Sequence, residues 1–342
     1  MAGKLRTLAA MICATAAGVT PSLASSAADF YAKKTITLQI GSGSGGGYDV
    51  IGRLFVRHMW KYVPGKPNIT PQNVPGGGSL ALANQFANIT PRDGSVFGIF
   101  NTGMALTPLL TPTAVRFDPR KFHFIGSPAR EAHVLIVWHN APVQTMEDAF
   151  KHRINVAATA PGGAPYEFPH LTNELLGSKF NVIKGYKSSH ASKMAMETGE
   201  VHGIAGHGWA SVKAEYRDDL ESKRIKVVAA FGMKKHKDLM DIPLFPTGST
   251  KEEQQLFALM YSRQVIGRPF ATPPDVPMDR VKALRDAYAA TVKDRDFLIE
   301  AEKLNIDIDP VYHDELNELI SELYATPPSV VERVQAILKA VN

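Results

Sequence analysis

Strand-like and helix-like segments alternate along this chain, and glycine-rich turns join three of the pairs. No other feature constrains its fold as strongly. Residues 35–40, Thr-Ile-Thr-Leu-Gln-Ile, alternate polar with apolar and predict a strand. Further strands are expected at 69–74, 96–100, 134–138, 154–158, 180–183, 201–205 and 225–231. Helical spacing fills most of the intervals. Over 48–62 it offers Val50, Leu54, Met59 and Tyr62 as core positions, and Thr145 caps a helix with Asp148 three residues on. The last quarter carries three apolar stripes: Val281, Leu284, Tyr288 and Val292; Leu316, Leu319, Ile320 and Leu323; then Val331, Val334, Leu338 and Val341. The alternation implies an α/β fold with largely parallel sheets, and 342 residues leave room for two domains.

The first glycine loop, Ile40-Gly41-Ser42-Gly43-Ser44-Gly45-Gly46-Gly47-Tyr48-Asp49, follows a strand and opens a helix. Glycine permits positive φ and close approach of a ligand to the amides. A helix start adds unpaired N–H groups and partial positive charge, so the segment predicts an anion cradle. Ser42 and Ser44 add hydroxyls. Asp49 is placed to cap amides or to receive an amine or hydroxyl from a ligand. Gly41, Gly43 and Gly46 match G-x-G-x-x-G, but no Asp or Glu lies between Asp49 and Asp93 to hold a ribose, and no Gly-Lys-Ser/Thr closes a Walker loop. Val74-Pro75-Gly76-Gly77-Gly78-Ser79 is a second such loop, and Thr159-Ala160-Pro161-Gly162-Gly163-Ala164-Pro165 a third. Ligands of open α/β sheets bind beyond the carboxyl ends of the strands, so loops one and three are expected to face each other across a cleft. Simple turns are the alternative reading.

Residues 1–28 have the layout of a secretory signal: Lys4 and Arg6, an apolar run from Leu8 to Val19, then small residues through Ala28. A buried N-terminal helix is the alternative. The run is shorter than the roughly 20 residues that span a bilayer. The single cysteine, Cys13, lies inside it behind Ile12, where a lipoprotein signal needs a small residue. One thiol excludes a zinc ribbon, an iron–sulfur cluster and an internal disulfide. Cleavage would remove Lys4, Arg6 and Cys13, taking the charge from +5 to 36 − 33 = +3. An exported, soluble, thiol-free chain points to a bacterial periplasm.

Residues 30–120 hold nine Lys/Arg against three acids, a bias that suits an anionic ligand. The only dense basic run, 233–237, predicts a solvated loop, and no nucleic-acid partner is expected. There is no His-Glu-x-x-His and no Gly-x-Ser-x-Gly. His202 and His207 are five apart across a strand end, a poor metal pair, so neither metal nor cofactor is expected. A dispersed Ser/His/Asp set stays open, with nothing to select one.

Several segments occur in an order that resembles one family across nearly the whole chain after residue 28. They are Phe30-Tyr31-Ala32-Lys33-Lys34-Thr35-Ile36-Thr37-Leu38, the 43–49 loop, Val74-Pro75-Gly76-Gly77-Gly78, Pro91-Arg92-Asp93-Gly94, Gly185-Tyr186-Lys187 and Arg268-Pro269-Phe270-Ala271-Thr272-Pro273-Pro274. The order resembles the extracytoplasmic solute receptors of tripartite tricarboxylate transporters, the Bug receptors. The resemblance implies a type II-like, two-lobed periplasmic binding protein, each lobe a mixed sheet flanked by helices. Lobe 1 is expected at 29–135 plus 236–342 and lobe 2 at 136–235, with crossings near 133–139 and 231–237. It implies a monomer that captures a small carboxylate and delivers it to membrane permease subunits without turnover. An exported hydrolase-like enzyme and a ligand sensor are the alternatives.

Carried onto this sequence, the resemblance assigns Ser44, Gly45, Gly46 and Asp49 to the first loop, with Ser42 and Gly47 beside them. It assigns Thr159, Gly162 and Gly163 to the second-lobe loop, and Tyr186 and Lys187 to the pocket edge. Asn101 and Thr102 are expected as walls, and Ser188, His207 and Trp209 as further candidates. Two departures stand out. Ser44 replaces the family's usual proline. The third loop reads Gly163-Ala164-Pro165-Tyr166-Glu167-Phe168 where serine and histidine are common, which puts direct hydroxyl contacts from that loop in doubt.

Overall fold

A computed structural model describes residues 26–341, so the expected signal segment falls almost wholly outside the described residues. Ser26 caps a short helix, Ala27–Tyr31, by accepting the Asp29 amide at 3.2 Å. The strands in chain order are β1 (Thr35–Ile40), β2 (Asn68–Asn73), β3 (Val96–Ile99), β4 (His123–Ser127), β5 (His133–Trp138), β6 (Ile154–Ala158), β7 (Phe180–Lys184), β8 (Gly203–Gly208), β9 (Ile225–Phe231), β10 (Phe270–Thr272) and β11 (Val311–Tyr312).

They form two sheets, ordered β11-β4-β10-β3-β1-β2 and β7-β6-β8-β5-β9. β1 runs parallel to β2 and β3, and β6 runs parallel to β7 and β8. In each sheet one strand is inserted antiparallel between its neighbours: β10 between β3 and β4, β5 between β8 and β9. Each inserted strand is the first laid down after the chain crosses from the other sheet. The two lobes therefore repeat one topology, and both sheets are mixed rather than purely parallel. The chain crosses at 128–132, and it returns through 232–269. β5 begins at His133, ahead of the expected lobe boundary at 135.

Helix Gly47–Met59 shows why the apolar spacing matters. Ile51, Leu54, Phe55, His58 and Met59 recur at the three- and four-residue intervals of one face and are buried. Phe55 stacks on Tyr288 at 5.6 Å and meets Phe270 at 4.7 Å, joining this helix to β10 and to helix Met278–Thr291. Tyr62, expected in the core, is exposed because the helix ends at Met59 and the phenol turns outward to Asp294, 2.6 Å away. Helix Pro328–Ala340 belongs to neither sheet alone. Its Val334, Ile337 and Leu338 share one apolar cluster with Phe86 and Phe100 of the first lobe and Val156 and Phe168 of the second. The lobes are thus joined by a common core as well as by the crossings.

Candidate functional site

The carboxyl ends of β1, β3, β6 and β8 border a cavity of about 420 Å³ between the lobes. Ser42, Tyr48, Asn101 and Thr102 line it from the first lobe. Thr159, Ser188, Ser192 and His207 line it from the second, and Glu131, His133 and Arg268 come from the crossings and strand starts between them. Ser79 ties the first-lobe wall together: its hydroxyl donates to Gly41 O at 2.9 Å and accepts the Asn101 amide at 2.8 Å. Gly41 has to be glycine here, since a Cβ would fall 2.2 Å from the Ser79 Oγ.

Arg268 dominates the electrostatics. Its guanidinium is buried, donates from Nε to Glu131 Oε2 at 2.7 Å and from Nη2 to Ser211 Oγ at 3.0 Å, and lies 4.6 Å from the Tyr48 ring centroid. Glu131 Oε1 accepts the Ala210 amide at 3.1 Å. Both carboxylate oxygens are therefore engaged, and Arg268 Nη1 is a buried donor without a partner. A charged donor in a dry site forms strong, short hydrogen bonds with an anion.

Two imidazoles share this space. His133 and His207 sit on adjacent antiparallel strands at a bulge, where Gly206 takes φ +85° and a Cβ would come 2.7 Å from Ala164 O. Burial, then the Arg268 charge, lowers His207 to about 3; burial, with Arg263, Arg268 and His207, pushes His133 well down too. Both rings are neutral at physiological pH. His133 Nδ1 and His207 Nε2 are buried without partners. A neutral imidazole offers one donor and one acceptor, so the pair suits a polar uncharged group beside an anion.

The first glycine loop serves mainly as a lobe contact. Ser44 and Gly45 are exposed, and none of the residues from Ser44 to Gly47 lines the cavity. A Cβ on Gly43 would lie 3.1 Å from Lys187 O, and one on Gly46 2.9 Å from Ser189 Oγ, so the loop abuts segment 187–189 of the other lobe. Asp49 turns into its own loop, where Oδ2 accepts the Gly45 amide at 2.9 Å and Oδ1 accepts Arg53 Nε and Asn73 Nδ2, each at 2.9 Å. Burial alone would raise the Asp49 carboxyl, but these bonds and the Arg53 charge hold it below the usual carboxylate range. Of the two roles open to Asp49, amide cap and ligand contact, the geometry is that of the cap.

The third loop faces the second loop rather than the first. A Cβ on Gly78 would stand 3.2 Å from the Gly162 carbonyl carbon. Its amides are largely spoken for: Gly162 donates to Glu167 Oε1 at 3.1 Å and Gly163 to Ala160 O at 3.2 Å. Glu167 in turn pairs with the buried Arg263. Thr159 still lines the cavity. Tyr186 lines it too, although its hydroxyl donates to Glu200 at 2.7 Å on the outer side. Lys187 stands exposed at the mouth. Trp209 lies outside, its indole donating to Asp238 at 3.1 Å.

Residue-type reasoning missed Arg268, Glu131, His133, Tyr48, Ser192 and Ser211 as site residues. Arg268 was visible only as the head of the Arg-Pro-Phe-Ala-Thr-Pro-Pro segment.

Two lobes of one topology around a cleft are the fold of a periplasmic binding protein. No family model matches the sequence, and no curated protein does. Among solved structures, the periplasmic binding protein BugD shares the fold at a TM-score of 0.68 and 18% identity, over 90% of this chain and 98% of that one. Rpa4515 of R. palustris with adipate does so at 0.69 and 18%, over 90% and 97%. MatC from Rhodopseudomonas palustris with bound malate does so at 0.67 and 16%, over 89% and 99%. The fold is thus that of the Bug-type receptors which the sequence motifs resemble.

Proposed function

We propose that this chain is an extracytoplasmic receptor of the Bug type, which closes its lobes on a small carboxylate and hands it to a membrane permease without turnover. The observation that carries the reading is the buried Arg268 guanidinium that lines the interlobe cavity and keeps one nitrogen, Nη1, without a partner. Leaving a charged donor unsatisfied is costly, and a ligand carboxylate removes that cost. The two neighbours with malate and adipate support the ligand class. The anion is then held by a side chain at the base of the cleft, with the glycine loops shaping the closure around it. We place the lobe boundaries in the crossings at 128–132 and 232–269. Periplasmic residence follows from the same reading.

Native mass spectrometry of freshly purified protein tests it. A co-purified small carboxylic acid, lost from an Arg268→Gln variant, is the expected result. A bound cation or nucleotide in its place would contradict the ligand class.

A further inference from the structure

Glu215 ends helix Trp209–Glu215 of the second lobe, yet its carboxylate sits against the first lobe. The Ser189 hydroxyl donates to Oε1 at 2.8 Å, and the Gly47 amide at the start of helix Gly47–Met59 faces the same group. Oε2 is buried without a partner. The seal around it exists only where the lobes touch: a Cβ on Gly46 would fall 2.9 Å from Ser189 Oγ, and one on Gly47 2.1 Å from Ser211 Oγ.

Charged groups around it have other partners, although Arg268 keeps Nη1 free and its charge, with that of Lys193, favours the ionised form. Arg268 pairs with Glu131. Lys193 reaches Asp219 at 2.7 Å and donates to the carbonyl of Glu215 itself at 3.0 Å. Asp49 and Arg53, on the facing helix, pair with each other at 2.9 Å. Arg217 is bonded to Glu221, while Asp218 and Lys303 share the groove beside Glu215.

We propose that Glu215 is a proton-operated clasp: closing the cleft buries its carboxylate at the first-loop helix start, and the protein takes up a proton there as it closes. Burial lifts the Glu215 carboxyl to about 7, against a solvated value of about 4.3 when the lobes part. An acid that holds its proton more tightly in one state favours that state at low pH. The Glu215 contribution to closure is therefore full below about 4.3, is lost by up to roughly tenfold per pH unit as pH rises to about 7, and changes no further above that. His133 and His207 act in the opposite sense. They are neutral when enclosed and gain protons near 6.5 when solvated, so closure also weakens below about 6.5. Below about 6.5 the two effects overlap, so the Glu215 contribution is read as the ratio of the closure constant to that of a Glu215→Gln variant, which keeps the histidines.

Lobe separation can be read without any ligand, so this clasp stands or falls apart from the carboxylate-receptor reading. Spin labels on cysteines placed at Ile89 and Met194, both exposed and one on each lobe, report the distance by electron–electron double resonance in the full chain carrying Cys13→Ser. The closed-to-open ratio of this background, divided by that of its Glu215→Gln variant, is expected to fall steadily between about pH 4.5 and about 7 and to level off above that. Glu215→Gln, neutral at every pH, should keep the fall below about 6.5 and show it more steeply than the background, because nothing then offsets the histidines. Ser189→Ala removes a donor that favours the ionised form and should move upward the pH at which that ratio levels off. Closed populations that change in parallel with pH in the background and in Glu215→Gln, or distance distributions that ignore pH in both, overturn the proposal.

Discussion

Arg268 donates from Nε to Glu131 Oε2 at 2.7 Å, a bond between the two crossings that fixes the guanidinium in the wall of the cavity. With Nε and Nη2 committed to Glu131 and Ser211, the planar group is locked and Nη1 is left without a partner. A flexible lysine point charge would not be aimed in this way.

Removing one member of this buried pair strands the other charge. Arg268→Met should cost about 3–5 kcal/mol in urea unfolding. Adding Glu131→Leu to Arg268→Met should recover most of that stability, since a buried ion pair contributes little against well-packed apolar groups. Ligand binding should not return in the double variant. Stability and affinity are thereby separated.

Asp49→Ala removes three hydrogen-bond partners from the first loop. We expect apo stability to fall by about 1.5–3 kcal/mol, the range for bonds to a charged group. The lowered carboxyl makes this contribution fully present above the ordinary carboxylate range and lost as pH falls through the folded-state value. Urea titrations at pH 7 and pH 3 should therefore differ less for the variant than for the parent.

Position 46 separates lobe contact from folding. Gly46 has φ −90°, an ordinary value, so Gly46→Val should leave a folded protein while crowding Ser189 across the cleft. Ligand affinity should drop with little change in circular dichroism. Gly45 has φ +78°, and Gly45→Val should instead cost about 1–2 kcal/mol of stability through backbone strain.

The buried imidazoles make the fold acid-sensitive. His207 is lowered to about 3, against an ordinary 6.5. Its contribution is present above 6.5 and lost as pH falls towards 3, by at most about 1.4 kcal/mol per pH unit. Between pH 6.5 and 5 the parent should lose about 2 kcal/mol more than His207→Gln, measured by urea unfolding at each pH.

Much of the fold was legible because its signals are local. The alternation of Thr35–Ile40 and the runs at Ile154–Ala158 and Ile225–Phe231 mark strands at the observed limits. β10 and β11, three and two residues long, leave no periodicity to read; they are strands because neighbours pair with them. β4 carries glycine and polar residues and escapes for the same reason. Glycine made the loops conspicuous, but which loops would face each other is decided by strand order. Glu131 and Arg268 are 137 residues apart, and Ser211 is 57 from Arg268. A site assembled from two crossings and a distant helix has no sequence spacing to betray it.

The central claim is that a small carboxylate is held in the cleft by Arg268. The most direct measurement is the melting temperature of the purified chain against a panel of mono- and dicarboxylates, run beside the Arg268→Met/Glu131→Leu variant. A ligand at a hundredfold its Kd stabilises a protein by about 2.7 kcal/mol, which is readily seen. The account predicts that at least one carboxylate raises the melting temperature of the parent, is recovered chemically unchanged, and leaves the variant unshifted. A panel with no stabilising carboxylate, or an equal shift in the variant, would contradict it.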